Sequence, residues 1–281
     1  MKSKYKVVVD SCCELPENLL NDERFEVVPL TLEIGDVEIV DDNTFDQKDF
    51  LKKVAESKEC PKSACPSPDS YLKTFASEAE HIYVITLSSK LSGSYNSACL
   101  AKSMFEEENT EKKIFIIDSK SASCGETQIV LKIMDLEEQG CSFEEVTSKV
   151  QAFIDDMQTF FVLDNLDTLR KNGRLSTVKA AVASTLNIKP VMGATKEGSI
   201  EQKGQAVGMY KAIAKMVDSI LSEVKSTENR RLVISHCNCR ERAEKIEKIM
   251  RAKAKFKEII ILNTAGISSM YANDGGVVVT V

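Results

Sequence analysis

Residues 81–101 read HIYVITLSSKLSGSYNSACLA, and the change of character inside this stretch decides the fold. The run 81–87 is apolar and rich in β-branched and aromatic residues, which predicts a strand buried on both faces. Residues 88–94 then carry four serines and Gly93 among seven positions, after which helical apolar spacing returns. A strand entering a helix through a short polar loop is half of a βαβ unit. The same alternation lies on either side: KYKVVVD at 4–10, KIFIID at 113–118, and a helix GETQIVLKIMDLEEQG at 125–140 that Gly140 stops. SFEEVTSKVQAFIDDM at 142–157 opens with Ser142 and Glu145 in capping-box spacing.

Between these units a short helix is expected around residues 17–20. The segment 25–42 reads as a hairpin or extended excursion turning at Gly35-Asp36, and a helix follows around Phe50, Leu51 and Val54. The loop CPKSACPSP at 60–68 holds three prolines, with Pro68 placed to begin a helix over 69–79. After residue 157 the pattern changes to TFFVLD, IKPVMGATKEGSIEQKG, RLVISH and EIIIL, with a turn at Gly198 and amphipathic helices over 207–224 and 240–253. The expected fold class is α/β with two domains. Residues 1–157 form a parallel α/β layer carrying the loops of interest, and 158–281 form a domain with an antiparallel sheet plus helices.

Composition removes several classes of function. The chain has 281 residues and a formal net charge of −6, with cations interleaved among acids on helix faces, which argues against nucleic acid as a partner. No stretch approaches the roughly 20 apolar residues of a membrane span, and MKSKYKVVVDS runs into a strand without a signal-peptide core, so a cytoplasmic protein is expected. Nine cysteines, an odd number, read as reduced thiols. SHCNC at 235–239 lacks the ligand spacing of a zinc site, so no metal is expected. There is no Walker loop and no Gly-x-Gly-x-x-Gly. A serine hydrolase needs a base, yet the histidines are His81 and His236, and LSGSY at 91–95 is not a Gly-x-Ser-x-Gly elbow.

The serine segment has two readings. Ligands in open α/β sheets bind beyond the carboxyl ends of strands, where free helix amides favour anions, and there Gly93 admits a close backbone approach while Ser92 and Ser94 offer hydroxyls. Ordinary helix capping also uses serine, though it needs only one. Ser63 and Ser67 in KSACPSP either extend the hydroxyl cluster or form a rigid turn capping the next helix. Arg170, Lys171 and Arg174 in RKNGRLS suit a helix end and become notable only with a phosphate or a partner nearby.

Six segments in order resemble the DegV family of bacterial fatty-acid-binding proteins, which includes the lipid-carrying subunit of fatty acid kinase. They are VVVDSCCELP, KSACPSP, SSKLSGSYNSA, IDSKSASCG, DNLDTLRKNGRLS and LNIKPV. The resemblance implies a non-enzymatic protein without a cofactor, holding one long-chain fatty acid such as palmitate between its domains. Ser92, beside Gly93, is similar to the family serine that hydrogen-bonds the carboxylate, and Ser63 falls where a Thr or Ser has the same task. Arg174 matches an arginine near the head-group exit, and with Arg170 it is a candidate contact for phosphate or for a dihydroxyacetone-kinase-like partner. The sequence departs from the family in ISSMYANDGG, where Tyr271 stands at a position commonly His, and at Ala64-Cys65, where Ser-Gln is usual. The remaining alternatives are a serine-dependent acyl hydrolase and a binder of another small anion.

Overall fold

The computed structural model describes residues 4–108, 112–175 and 187–281. Ser176 of the arginine-bearing motif and Leu186 of LNIKPV lie outside the described residues. Along the first half the elements are β1 (Tyr5–Asp10), β2 (Phe25–Val28), β3 (Thr31–Ile34), β4 (Val37–Val40), α1 (Gln47–Glu56), β5 (Lys62–Ala64), α2 (Pro68–Thr74), β6 (His81–Thr86), α3 (Ser94–Glu108), β7 (Lys113–Asp118), α4 (Cys124–Glu138) and α5 (Phe143–Asp156). The second half adds β8 (Thr159–Val162), α6 (Asp167–Lys171), β9 (Ile188–Ala194), β10 (Ile200–Val207), α7 (Met209–Glu223), β11 (Arg231–His236), α8 (Arg240–Lys253), β12 (Glu258–Asn263), α9 (Gly266–Ala272) and β13 (Val277–Thr280).

Four parallel strands in the order β2-β1-β6-β7 make the first sheet, and β6 is buried at every position, as its unbroken apolar run requires. The second sheet runs β10-β9-β8-β13-β11-β12 and is antiparallel except for the β11–β12 pair, which α8 connects. The fold is therefore the expected α/β arrangement of a parallel layer and an antiparallel-rich sheet with helices. Helix α4 is buried on nearly all sides because it lies between the two sheets. Its Ile129, Ile133 and Leu136 join the core of the first sheet. On the other side, Gln128 Nε2 donates to the carbonyls of Arg231 at 2.9 Å and Thr280 at 3.1 Å. Helices α7 and α8 cover the second sheet through Met216, Ile220, Ile246 and Met250.

Several local expectations hold. Ser142 Oγ accepts from Glu145 N at 3.3 Å while Ser142 N donates to Glu145 Oε2 at 2.8 Å, which closes the capping box of α5. Pro68 begins α2, and Ser67 caps it. Others are corrected. Residues 17–20 form turns and not a helix, with three-residue closures such as Leu19 N to Pro16 O at 2.8 Å. Helix α2 stops at Thr74, well short of residue 79, where Phe75 N turns back to Leu72 O at 3.1 Å and Thr74 Oγ1 donates to Tyr71 O at 2.7 Å. The excursion at 25–42 splits: β2 joins the parallel sheet, while β3 and β4 form a hairpin whose β3 also pairs with β5, making a separate three-stranded sheet.

That small sheet reaches across to the C-terminal part of the chain. Leu30, Leu32 and Phe50 pack with Ile267 and Met270 of α9. Asp41 accepts from Gly266 N at 2.7 Å and Ile267 N at 2.8 Å, so a carboxylate from beyond β4 caps α9. This clasp brings β5, the serine segment and α9 to one place.

Candidate ligand site

The serine segment follows β6, at the carboxyl edge of the parallel sheet, and its four hydroxyls divide into separate jobs. Ser88 Oγ donates to Gly198 O at 2.8 Å, fastening the loop to the β9–β10 turn. Ser89 bonds the carboxylate of Asp118 through its hydroxyl and its amide. Ser94 is fully buried. Ser92 Oγ lies 3.0 Å from Ser94 Oγ, accepts from Ser94 N at 3.2 Å, and lines an open vestibule. Both readings of the segment thus have a structural counterpart: most of the serines are structural, and one faces free space.

The vestibule has an empty volume of about 640 Å3, and Ser63, Ser92, Gly93, Arg174 and Tyr271 all line it. Ser63 Oγ and Tyr271 Oη are 3.2 Å apart although 208 positions separate them. A Cβ on Gly93 would come within 3.0 Å of Cys65 Sγ, so glycine is what lets α3 and the β5 loop close on each other. Arg174 Nε donates to Leu91 O at 3.1 Å, and another guanidinium nitrogen donates to Asn172 O, which ties this cation to the serine loop at the edge of the vestibule. Arg170 lines neither the vestibule nor the cavity behind it; its side chain is 65% exposed and pairs with Asp167 at 3.1 Å.

Leu87, Leu91, Arg174, Ile267 and Tyr271 also line a second, mostly apolar cavity with an empty volume of about 800 Å3, including its open mouth. Ala122, Phe161, Leu163, Ala194, Ile200 and Val278 supply walls of this tunnel, drawn from both sides of the molecule. Neither His81 nor His236 lines the vestibule or the tunnel. His81 Nδ1 instead meets Glu137 Oε1 at 2.6 Å, and Tyr83 Oη donates to the same oxygen at 2.6 Å.

Behind the tunnel wall lies a set of buried carboxyls that sequence reasoning missed. Asp10 accepts from Cys12 N at 3.1 Å and Leu87 N at 2.9 Å, tying the ends of β1 and β6, and burial pushes its carboxyl up to about 6. Glu14 Oε2 accepts from Ser123 Oγ at 2.7 Å and Ser235 Oγ at 3.0 Å, joining α4 to β11, and burial raises its carboxyl to about 7. Burial and the neighbouring Asp10 charge hold Glu126 well above the usual carboxylate range. The available sequence signal was an acid at the end of a buried strand and another inside an apolar helix. Among the described residues no group of His, Cys, Asp and Glu is placed to hold a metal, and no helix is long and apolar enough to cross a membrane.

The class so defined is a two-domain α/β protein whose parallel layer and antiparallel-rich sheet share an apolar tunnel with a hydroxyl-lined mouth. The chain belongs to the DegV family: residues 4–281 match the family model described as "Uncharacterised protein, DegV family COG1307". It is similar to the DegV domain-containing protein spr0652 of Streptococcus pneumoniae R6, 36% identical over 275 residues that cover 97% of this chain and 96% of the relative. Among solved structures, a DegV protein of Ruminococcus gnavus with vaccenic acid is 48% identical, with a TM-score of 0.97 and 100% of both chains covered. The Fatty Acid Kinase (Fak) B3 protein of Streptococcus pneumoniae, loaded with linoleic acid, is 34% identical, with a TM-score of 0.89 over 100% of this chain and 99% of that one. A DegV protein of Eubacterium eligens loaded with heptadecanoic acid is 30% identical, with a TM-score of 0.90 and 98% of each chain covered.

Proposed function

We propose that this protein binds one long-chain fatty acid, with the carboxylate in the vestibule and the acyl chain in the tunnel, and works as a cytoplasmic carrier. The observation that carries this reading is that the two spaces adjoin: five residues line both, so a polar head in the vestibule and an apolar tail in the tunnel belong to one molecule. Ser63, Ser92 and Tyr271 donate hydrogen bonds to the carboxylate, and Gly93 leaves room for it. Residues 1–157 and 158–281 act as the two domains that close on the ligand. The fatty acids bound by the Ruminococcus, Eubacterium and pneumococcal relatives support the same ligand class here.

Magnitudes assign the work. Each buried methylene contributes about 0.8 kcal/mol, so a chain of ~16 carbons supplies roughly 10 kcal/mol gross before association costs. A hydrogen bond to the charged carboxylate adds about 1.5–3 kcal/mol, offset in part by desolvation. The tail therefore dominates affinity and the hydroxyls fix orientation. The chain supplies no catalyst in this reading, consistent with both histidines lying away from the vestibule. The pneumococcal Fak B3 relative favours a role presenting the acid to a kinase partner of the dihydroxyacetone-kinase-like type, with Arg174 at the vestibule and Arg170 on the adjoining surface as its contacts. Tyr271 supplies a hydroxyl donor where the family commonly has an imidazole, so binding depends less than phosphoryl transfer on this position.

Mass spectrometry of a denaturing extract, beside the native mass of the intact complex, tests the proposal. A stoichiometric fatty acid is expected. Protein that purifies without an acyl chain and takes up neither palmitate nor oleate refutes it and leaves the vestibule to another anion.

A further inference from the structure

The tunnel comes close to a second surface of the protein at its deep end. A separate outer cleft, with an empty volume of about 710 Å3, shares Lys120, Thr159 and Ala194 with the tunnel as lining residues. The vestibule has none of these three, so the contact with the outer cleft lies away from the head-group end. One layer of side chains separates the two spaces, and polar contacts hold it. Ser121 Oγ and Thr159 Oγ1 are 2.7 Å apart, and Lys120 Nζ pairs with Asp155 Oδ1 at 2.7 Å. The β9–β10 turn seats against the same loop so tightly that a Cβ on Gly198 would lie 2.8 Å from Lys120 Cα. Lys120 itself has a φ of 50°, a left-handed conformation uncommon outside glycine.

We propose that this layer is a tail latch that sets the upper limit of acyl length. It rests on the fatty-acid reading above. While Lys120 and Asp155 are paired, each methylene beyond the tunnel's depth meets a closed wall, and overpacking excludes it. When the pair parts, a longer chain passes between Lys120 and Ala194 into the outer cleft. There Ile154, Met157 and the aliphatic stem of Lys203 receive it. The pair suits a moving part on energetic grounds, because an ion pair this exposed, 30% at the lysine and 57% at the aspartate, separates at little cost.

The test compares delipidated parent, Asp155→Ala and Ala194→Leu, each exposed to an equimolar mixture of myristate, palmitate, stearate, arachidate and behenate. Bound acids are then quantified by mass spectrometry. Asp155 lines the outer cleft and not the tunnel, so its removal frees Lys120 without substituting any residue of the acyl wall. The combined share of arachidate and behenate should rise by about threefold or more in Asp155→Ala, the order expected for accepting further methylenes. It should fall in Ala194→Leu, where the added bulk narrows the tunnel wall and plugs the passage, and palmitate should remain bound in the parent and in Asp155→Ala. The same chain-length profile in parent and Asp155→Ala at equal occupancy overturns the latch while leaving the fatty-acid reading intact. A folded parent that takes up none of the acids overturns the fatty-acid reading itself.

Discussion

Replacing Glu14 by glutamine should make the stability of this protein less sensitive to alkaline conditions by a predictable amount. The Glu14 side chain lies between the sheets, facing Ser123 just before α4, Ser235 of β11 and the start of α9 at Ala265 and Ser268, with Asp10 and Glu126 nearby. Burial raises its carboxyl from 4.5 to about 7, outweighing the hydrogen bonds that favour the charged form. Because the folded state holds the proton more tightly than the unfolded chain, stability is greatest below the unfolded value. It falls as the pH climbs toward the folded one, and above that the loss is complete. A shift of this size corresponds to about 3 kcal/mol in total, of which about 2–3 kcal/mol falls between about pH 5 and about pH 8. The amide of Glu14→Gln carries no titrating proton, whereas Asp10, Asp41 and Glu126 titrate in both proteins and largely cancel in the comparison. Urea denaturation of delipidated parent and Glu14→Gln measures the gap without the mass-action contribution of bound ligand. With an m-value of roughly 3 kcal/mol/M, the midpoint difference should move by about 1 M in favour of the variant between about pH 5 and about pH 8. A difference that stays the same at both pH values refutes the assignment of Glu14 to a dry, low-dielectric site.

Ser92→Ala should weaken fatty-acid binding about tenfold in a displacement titration while leaving the acyl chain in place, since one charge-assisted hydrogen bond is lost and the tail contacts are not. Unchanged affinity would remove Ser92 from the carboxylate site. Tyr271→Phe keeps the ring against the tunnel but deletes the hydroxyl that lies 3.2 Å from Ser63 Oγ. It should cost about three- to tenfold in affinity by the same assay, and an equal loss of melting temperature without ligand would point to a structural role only. Gly198→Ala places a methyl 2.3 Å from Ser88 Oγ at a φ of +86°, so about 2 kcal/mol or more of stability should be lost, read as a melting temperature lower by several degrees. A melting temperature equal to the parent's would show that the turn does not seat on the Ser88 loop.

The parts of the fold that could be read in advance are those whose signal is local. Strand β6 announces itself because every one of its positions is buried and most are apolar, and α5 because its cap lies within the first four residues. The parts that could not be read depend on distant partners. Strand β5 is three residues long and extended because β3 pairs with it. Helix α9 starts where Asp41, more than 200 positions earlier, accepts its first amides, so nothing near Gly266 marks a helix start. Strand β13 follows only a few residues later and completes the second sheet between β8 and β11, a position no periodicity in its own short run specifies.

The candidate site divides along the same line. A head group needs donors, and donors are residue types, so Ser63 and Ser92 are legible in the sequence as part of a hydroxyl-rich pattern, whereas Tyr271 comes into view only through the family resemblance; all three meet in one vestibule once the clasp between β5 and α9 forms. A tail needs only room. Leu87, Ala122, Phe161, Leu163, Ala194 and Val278 are ordinary core residues by every local measure, and what they contribute is the space they leave unfilled. That space depends on where α9, the serine loop and the β9–β10 turn come to rest, each fixed by contacts from elsewhere in the chain: Asp41 on α9, Ser88 on Gly198, Lys120 on Asp155. On the tail-latch proposal, a change at this surface ion pair or turn alters the chain carried without touching a head-group residue. Chain preference in this protein should therefore respond to Asp155 more readily than to any hydroxyl in the vestibule.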